Sequence, residues 1–295
     1  MGRAFLRRVV FGSTTALGGC SLLLGDGLTS PDEPAVDAAV DTTTEAGADG
    51  IVANDAGKDT FVPPPDGACP SIDTSLAAWF PFEEDDSAIV RDCSGHGLDG
   101  KLVLEGNFQR VPGRTSGKAI DTGGDRGCFD LGGAAALAFV GSDFTVTAWI
   151  KPRTYSYVDP NAEAGSDPKP RWFVNRFASD NGGWGVGTDD SDTETGFVEI
   201  KSFRAGGSFE EAEGALPKGA WVHVAGVFTP ALLTLYIDGK LSAEKILVLP
   251  TSVDPKAHAW IGCRGGDEPS FDGALDDLRI YGRTLSAEEI AALSK

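Results

Sequence analysis

The chain carries little positive charge. Its 295 residues include 25 lysines and arginines against 44 aspartates and glutamates, so the formal net charge at pH 7 is -19. A protein that binds DNA or RNA must neutralise phosphates with a basic surface, and a net acidic protein repels both nucleic acids and anionic lipid headgroups. The composition therefore argues against a nucleic-acid partner. Neutral glycans, cationic partners and divalent metal ions stay open.

Long apolar runs are also absent, since no stretch has the roughly 20 apolar residues that a membrane-spanning helix needs. The start of the chain instead combines three arginines within eight residues, a short apolar run from Val9 to Leu17, and Cys20. This order resembles a bacterial lipoprotein signal, which is cleaved so that the cysteine becomes the lipidated N-terminus. We expect residues 1–19 to be a signal peptide, and we expect an exported protein held in a membrane only by lipid on Cys20, in the outer membrane or at the cell surface. An ordinary secretory signal and a misassigned start codon are the alternatives.

The following segment, 20–70, is poor in aromatic and branched apolar residues. Between residues 21 and 67 ten acidic side chains face the single Lys58. Such a segment cannot bury enough apolar surface to offset the entropy of ordering, and its like charges keep it extended. We predict a disordered acidic linker over 20–70 that holds a folded domain, 71–295, away from the membrane.

Cysteine is scarce, with five residues in the chain. If Cys20 carries lipid, an even number remains in a chain that is sent to an oxidising compartment. Two disulfides are therefore expected, and we favour the pairs Cys69–Cys93 and Cys128–Cys263, although spacing does not select among the three pairings. Four buried thiols and a zinc site are the alternatives, but no two cysteines have the short spacing of zinc knuckles.

Long helical periods are missing between residues 76 and 281. Short alternating segments are separated there by glycine, aspartate, asparagine and proline. This pattern predicts one all-β domain of many short strands in two packed sheets. The predicted strands include 195–204 and 220–228 with none between them, and Asp238-Gly239 predicts a tight hairpin turn.

The stretch 271–290 predicts a long strand, a turn and a short helix. Period-two alternation over the strand puts Asp276 and Asp277 on opposite faces of the sheet. Ser286 followed by Glu289 predicts a capping box at the start of the C-terminal helix.

Six segments resemble, in order, those of the laminin-G-like, concanavalin A-like jelly rolls of bacterial secreted proteins. They are Leu76-Ala-Ala-Trp-Phe-Pro-Phe82, Asp92-Cys-Ser-Gly-His-Gly-Leu-Asp-Gly100, Phe144-Thr-Val-Thr-Ala-Trp-Ile-Lys-Pro152, Trp221-Val-His-Val-Ala-Gly-Val-Phe228, Leu233-Thr-Leu-Tyr-Ile-Asp-Gly-Lys240 and the strand and helix of 271–290. The resemblance implies an all-β fold: a two-sheet antiparallel jelly-roll sandwich with a short C-terminal helix. This fold hosts lectins, glycosidases and adhesion modules, so it does not by itself assign a function.

The resemblance favours a surface-displayed binding module, with carbohydrate as the first ligand class. Protein adhesion is the second reading and a structural role in the cell envelope is the third. Glucanases of this architecture carry a Glu-x-Asp-x-x-Glu strand that supplies two carboxylates, and the chain has no such run. Its three histidines form no catalytic motif, and His223 inside a strand is expected to be a packed or surface residue. We therefore predict that the protein is not an enzyme.

Aromatic side chains are the candidates for holding a sugar. Tyr155 and Tyr157 lie in a connection, 154–169, that is longer than the family's usual one, and Trp184 follows a turn at 180–183. We predict that these three contact ligand, because long loops in compact domains are often functional; a disordered insertion is the alternative for the loop. Three other tryptophans match the family's framework and are expected in the core: Trp79, Trp149 and Trp221.

The resemblance also implies a structural calcium ion where the opening strand, the loop 92–100 and the closing strand meet. Asp92 and Asp276 would supply carboxylates, and the glycine-rich loop would supply backbone carbonyls. In the alternative, Asp92 and Ser94 only hydrogen-bond their own loop.

Replacing Cys20 by serine is expected to release the protein from the membrane fraction. Stable anchoring needs two or more acyl chains, because one chain binds only marginally. Metabolic labelling with a fatty-acid analogue measures the modification directly. An unlabelled, soluble wild-type protein would end the lipoprotein reading.

Overall fold

The computed structural model describes residues 69–295, apart from 86–87, 105, 107, 126, 140, 160, 162, 164–167, 179–180, 191–195, 249–253, 255 and 266–269. All of the described residues lie in one compact unit. The predicted signal peptide, Cys20 and the linker up to residue 68 lie outside them. No helix in this described part is long and apolar enough to span a bilayer.

Strands dominate the described residues. They are β1 (Ala78–Phe80), β2 (Ile89–Val90), β3 (Gly100–Leu104), β4 (Gln109–Pro112), β5 (Lys118–Asp121), β6 (Cys128–Asp130), β7 (Phe144–Pro152), β8 (Ser156–Tyr157), β9 (Lys169–Ala178), β10 (Asn181–Asp190), β11 (Gly196–Ala205), β12 (Phe209–Leu216), β13 (Val222–Phe228), β14 (Leu232–Ile237), β15 (Lys240–Ile246), β16 (Trp260–Ile261) and β17 (Gly273–Tyr281). A 3-10 turn spans Ala135–Leu137, and α1 spans Ala287–Leu293.

The strands form two antiparallel sheets that pack as a sandwich, which confirms the predicted fold class. One sheet, here called the β7 sheet, has the order β15-β14-β13-β7-β17-β5-β4, and β1 also pairs with β17. The other, here called the β10 sheet, has the order β12-β11-β10-β9-β16-β6-β3-β2, and β8 also pairs with β9. The hairpin between β14 and β15 turns at Asp238 and Gly239, which both have positive φ, as the sequence predicted.

The core lies between the two sheets and is built by alternation along the strands. In β7 the residues Phe144, Val146, Ala148 and Ile150 all belong to the buried cluster. Phe144 stacks on Phe228 of β13 with ring centroids 4.3 Å apart. Fully burying such a side chain typically contributes about 1.5–3 kcal/mol, so the aromatic stack is a principal tie between the two strands.

A bulge interrupts the alternation of β17. The pairing register with β7 shifts between Asp276 and Arg279, and Asp277 adopts a φ of 47°. Leu275 and Leu278 therefore both face the core, while Asp276 and Asp277 both fall on the outer side. The predicted placement of the two aspartates on opposite faces is wrong, because a bulge inserts one extra residue between inward positions.

A second apolar cluster covers part of the outer side of the β7 sheet. Helix α1 places the fully buried Ile290 in this cluster together with Trp79 and Tyr281. The helix begins with the predicted capping box, in which Ser286 and Glu289 satisfy each other's backbone amides. The expected burial of Trp79 is confirmed, and its indole nitrogen donates to Asp277 Oδ1 at 2.7 Å.

Both favoured disulfides are present in the structure. Cys69–Cys93 joins the start of the described chain to the glycine-rich loop, with a Cα–Cα distance of 5.5 Å. Cys128–Cys263 joins β6 to the turn after β16, with a Cα–Cα distance of 5.3 Å. All four cysteines are buried.

Removing the two disulfides separately is expected to destabilise the domain unequally. The closed loops span 24 and 135 residues, and the chain-entropy relation predicts that the longer one contributes about 1.5 kcal/mol more. We therefore expect Cys128→Ala/Cys263→Ala to lower the free energy of unfolding more than Cys69→Ala/Cys93→Ala. Urea unfolding of the two double variants measures the difference, and the opposite order would contradict the loop-entropy argument.

Acid is expected to destabilise the domain partly through His223. Its ring packs edge-on against Trp149 at 5.2 Å, it is 2% exposed, and burial lowers its pKa to about 4 despite the nearby Asp277 and Asp238. The unfolded chain takes up a proton on this histidine at a higher pH than the folded protein does. The contribution of neutral His223 to the free energy of unfolding is therefore complete above about pH 6.5 and is lost as the pH falls towards 4, by at most about 3 kcal/mol.

His223→Phe is expected to reduce this loss of stability between about pH 6.5 and 4, here called the acid limb, while keeping a ring against Trp149. The exposed His258 supplies the control variant, His258→Phe, which is expected to leave the limb steep. Unfolding free energies from pH 4 to 7 provide the measurement. Parallel curves for His223→Phe and the wild type would contradict the role of the histidine.

Candidate functional site

A cleft of about 450 Å³ opens on the outer side of the β7 sheet, beyond the area covered by α1. Its lining combines apolar, glycine and charged residues: Val111, Pro112, Gly113, Asp121, Lys151, Arg153, Gly219, Trp221 and Ala274. We call this the Trp221 cleft. Its volume is in the range that small-ligand sites typically occupy, about 300–1,000 Å³.

Strand register assembles the cleft. Ala274 of β17 lies opposite Lys151 of β7 on one side and opposite Asp121 of β5 on the other. These three side chains share the outer face, since partners across a sheet point the same way. Ala274 fills little of the space between its longer neighbours, which leaves room for a ligand above the sheet.

Trp221 forms one wall, immediately before β13. Val222 points into the core, so Trp221 points to the outer side and is only half-buried. The amide of Gly219 donates to the carbonyl of Pro152 at 2.9 Å, which ties the approach to Trp221 to the end of β7. The expected core position of Trp221 is therefore wrong. Strand alternation could have indicated this orientation, because the residue next to an inward Val222 faces outward.

Trp149, also expected in the core, is buried on the outer face instead. Its ring lies beneath Arg114, whose guanidinium carbon is 3.6 Å from the ring centroid. Arg114 thus covers the part of the sheet next to the cleft, and Trp149 is 9% exposed. A cationic side chain with an apolar stem can cover an aromatic surface in this way.

Arg153 is held rigidly at the opposite wall. Its guanidinium donates to Asp121 Oδ1 at 2.8 Å and to Asp272 Oδ1 at 2.9 Å. The hydrogen bonds and charge of Asp121, and then of Asp272, raise the pKa of Arg153 above its usual range. The side chain is still 48% exposed, so the fixed guanidinium can donate further hydrogen bonds to a ligand.

Lys151 stands between Trp221 and Ala274 and is exposed. It forms no ion pair with any described residue, whereas Arg153 and Asp121 are paired with each other. The cleft therefore combines one aromatic wall, one fixed donor group and one free ammonium group. Such a set can hold a small molecule that has an apolar face and polar substituents.

The structure overturns two of the three predicted ligand contacts. Trp184 is fully buried: its ring packs 5.2 Å from Phe144 and its indole nitrogen donates to the carbonyl of Leu137 at 3.0 Å. Tyr155 is 6% exposed and its hydroxyl donates to the carbonyl of Leu216. Both residues occupy inward positions, where a solvent ligand cannot reach them.

Tyr157 is half-buried in β8, which pairs with β9 and so turns the start of the connection 154–169 into a hairpin. Its ring lies 5.7 Å from Arg171, and it does not line the Trp221 cleft. Its contact with ligand stays a prediction.

Asp92 uses both carboxylate oxygens to hold its own surroundings. It accepts hydrogen bonds from the amides of Trp79, Ser94 and Leu98 and from the hydroxyl of Ser94, at 2.8–3.1 Å. These bonds favour the alternative reading, in which Asp92 organises the loop.

Asp276 accepts a hydrogen bond from the amide of Arg114 at 2.9 Å. Burial raises its pKa to about 6. Calcium at Asp92 and Asp276 stays a prediction.

Within the described residues, three carboxylates come close enough to share a metal ion: Glu199, Glu211 and Glu213, on the outer side of the β10 sheet. The ammonium of Lys201 lies 2.8 Å from Glu199 and 3.1 Å from Glu211. Burial raises the pKa of Glu199, and the charge and hydrogen bond of Lys201 oppose this rise. The cluster therefore already has a cation within it, and a structural ion pair explains it without a metal.

Comparison with solved structures identifies the same fold in sugar-binding and toxin domains. Domain 4 of AbnA, a GH43 extracellular arabinanase from Geobacillus stearothermophilus, solved in complex with arabinotriose, is 20% identical with a TM-score of 0.57; the match covers 75% of this chain and 98% of that domain. The binding domain of Paraclostridial Mosquitocidal Protein 1 is 21% identical with a TM-score of 0.55, over 75% of this chain and 52% of that one.

The binding domain of botulinum neurotoxin DC, solved in complex with rat synaptotagmin II, is 15% identical with a TM-score of 0.54, over 76% of this chain and 52% of that one. The chain thus spans about half the length of the toxin binding domains. At these identities the likeness shows the fold alone.

Curated proteins give no significant match to this chain. The sequence model of the concanavalin A-like lectin/glucanases superfamily, however, matches residues 129–291, more than half of the chain. This match takes in β7, β13 and β17, the strands that build the core and one side of the cleft. The protein is therefore a member of the concanavalin A-like lectin/glucanases superfamily.

Proposed function

We propose that this protein is a non-catalytic carbohydrate-binding module, exported and displayed at the cell envelope. The Trp221 cleft carries the proposal. It offers a half-buried indole at the edge of an open cavity of about 450 Å³. Ligand sites of this kind combine an apolar wall with a few fixed polar groups.

A sugar ring matches this arrangement. Its C–H face can stack on the Trp221 indole, which presents an apolar surface at low conformational cost. Its hydroxyl groups can accept hydrogen bonds from Arg153 and donate to Asp121, both of which line the cleft. Because Asp121 and Asp272 already fix the guanidinium, binding needs little further ordering of that side chain.

The comparisons support a binding role. The similar arabinanase domain was solved with arabinotriose, and a similar neurotoxin binding domain was solved in complex with SialylT. Those ligands belong to those proteins, and the sugar that this chain binds is a separate question.

The chemistry of the cleft supports binding without catalysis. Glycoside hydrolases generally use two carboxyl groups about 5–10 Å apart. Asp121 is the one carboxylate among the residues that line the cleft, and its oxygens accept from Arg153. A carboxylate held by arginine is poorly suited to act as an acid or a nucleophile.

Protein adhesion is the second candidate function. Apolar side chains are exposed along and just after the edge strand β15, where Leu241 is 57%, Ile246 75% and Val248 80% exposed. Exposed apolar patches on an edge strand favour contact with another protein. A structural role in the envelope is the third candidate.

Export and anchoring complete the proposal. Two disulfides favour an oxidising compartment. Lipid on Cys20 and an acidic linker over 20–70 would hold the domain at a distance from the membrane. In this arrangement the partners are glycans or extracellular proteins, and the membrane is contacted only through the anchor.

Trp221→Ala is expected to weaken sugar binding about five-fold or more, because truncating an aromatic anchor commonly costs more than about 1 kcal/mol. A glycan array covering neutral and acidic oligosaccharides, followed by calorimetric titration of the strongest hit, provides the measurement. Trp260→Ala is the matched control, since Trp260 is also half-buried but does not line the cleft.

The wild type and the Trp260 variant should bind the glycan with similar affinity. All three proteins should unfold at similar temperatures. If the wild type binds no glycan, or if Trp221→Ala binds as tightly as the wild type, the cleft is not a sugar site. Protein adhesion would be favoured if the wild type binds an envelope protein but no glycan, and if Leu241→Ser loses that binding.

A further inference from the structure

The Trp221 cleft holds one cationic side chain without an ion-pair partner among the described residues. Its lining holds two cations, Lys151 and Arg153, and one anion, Asp121. Arg153 is engaged by Asp121 and also by Asp272 beside the cleft, with a nitrogen to Oδ1 distance of 2.8 Å for the second pair. Lys151 keeps its positive charge without a partner among the described residues.

Neighbouring acidic groups do not satisfy Lys151. Asp121 and Asp272 both face Arg153. Asp276, two residues along β17 from Ala274, accepts instead from the Arg114 amide. Lys151 thus places a positive charge, unpaired within the described part of the chain, in the cleft of a protein whose net charge is -19.

Position makes this ammonium useful. Trp221 and Ala274 flank Lys151 on the outer face of the sheet, so a ring stacked on the indole would bring its substituents beside the lysine. An acidic substituent there would meet both the ammonium of Lys151 and the fixed, half-exposed guanidinium of Arg153. Charge-assisted hydrogen bonds of this kind are about twice as strong as neutral ones.

We propose that the Trp221 cleft selects sugars that carry an anionic group, a carboxylate or a sulfate, and that Lys151 recognises this group. The inference rests on the proposed function and specifies its ligand class. The strong negative charge of the whole chain repels dense polyanions at long range, while a single acidic group within the cleft interacts at short range. Glycans with sparse acidic residues therefore fit better than heavily sulfated chains.

Matched acidic and neutral sugars test the proposal. Galacturonic acid oligomers and their methyl esters have the same ring and differ in charge, and a galactose oligomer with and without one sulfate forms the second arm. The wild type is expected to bind the charged form about five-fold or more tightly in at least one arm, and this preference should shrink as salt rises. The arm that shows the preference identifies the acidic group.

Lys151→Gln is expected to abolish the preference by weakening binding of the charged form more than binding of the neutral form, and Lys151→Arg is expected to retain the preference. Lys101→Gln is the control, because Lys101 is an exposed strand lysine of the other sheet. Calorimetry on the full domain measures each affinity, and thermal unfolding shows that the variants are folded.

Equal affinities for the charged and neutral forms, or a preference that survives Lys151→Gln, would overturn this inference. In that case, if Trp221→Ala still loses sugar binding, the proposed function is kept and only the preference for anionic sugars is rejected. Absence of binding to every charged and neutral sugar would overturn the proposed function and this inference together.

Discussion

The pairing of β17 with β7 is the constraint on which the rest of the structure depends. It places Leu275 opposite Ile150, both in the core, and Ala274 opposite Lys151, both on the outer side. A slip of β17 by one residue would reverse its two faces, turning Leu275 into the cleft and Asp276 towards the core. The bulge at Asp277 then resets the alternation, so that Leu278 and Ile280 also reach the core where β1 joins the sheet. One interior strand thereby contributes both to the core and to the floor of the candidate site.

The outer side of the β7 sheet is divided into a covered part and an open part. Helix α1 and the Cys69–Cys93 region bury the apolar surface around Tyr281. Arg114 lies over Trp149, next to the buried His223. The cover ends at the row formed by Trp221, Lys151 and Ala274. Trp221 is half-buried directly beside this covered area, and this exposed aromatic surface is the feature that most favours a ligand site there.

Much of the fold could be predicted because its signals are local or compositional. Asp238-Gly239 supplies the two positive φ angles of a hairpin turn, and Ser286 with Glu289 caps a helix without outside help. Strand β12 was missed because three glutamates, at 210, 211 and 213, hide its alternation. The edge strand is instead fixed by partners on β11, since Lys201 pairs with Glu211 and Arg204 pairs with Glu210.

The candidate site was harder to predict because it depends on which way side chains point after the strands are paired. Trp184 follows a turn signal, yet its inward position on β10 takes it into the centre of the core. Tyr155 lies in a long connection but packs against Gly196, where no side chain occupies the space. The side of the sheet that Asp276 and Asp277 face depends on a bulge that has no sequence signal of its own. Trp221 sits in a framework segment, and only the inward Val222 beside it indicates the outward orientation.

Indole nitrogen NMR signals test the central claim most directly. The chain has six tryptophans, so each indole resonance can be assigned by single substitution and followed while the tightest-binding glycan from the array is added. The account predicts that the Trp221 signal moves with a saturable dependence on glycan concentration, while the fully buried Trp184 signal stays in place. A stationary Trp221 signal, with Trp172 or Trp260 shifting on the other sheet, would contradict it and would move the sugar site away from the cleft.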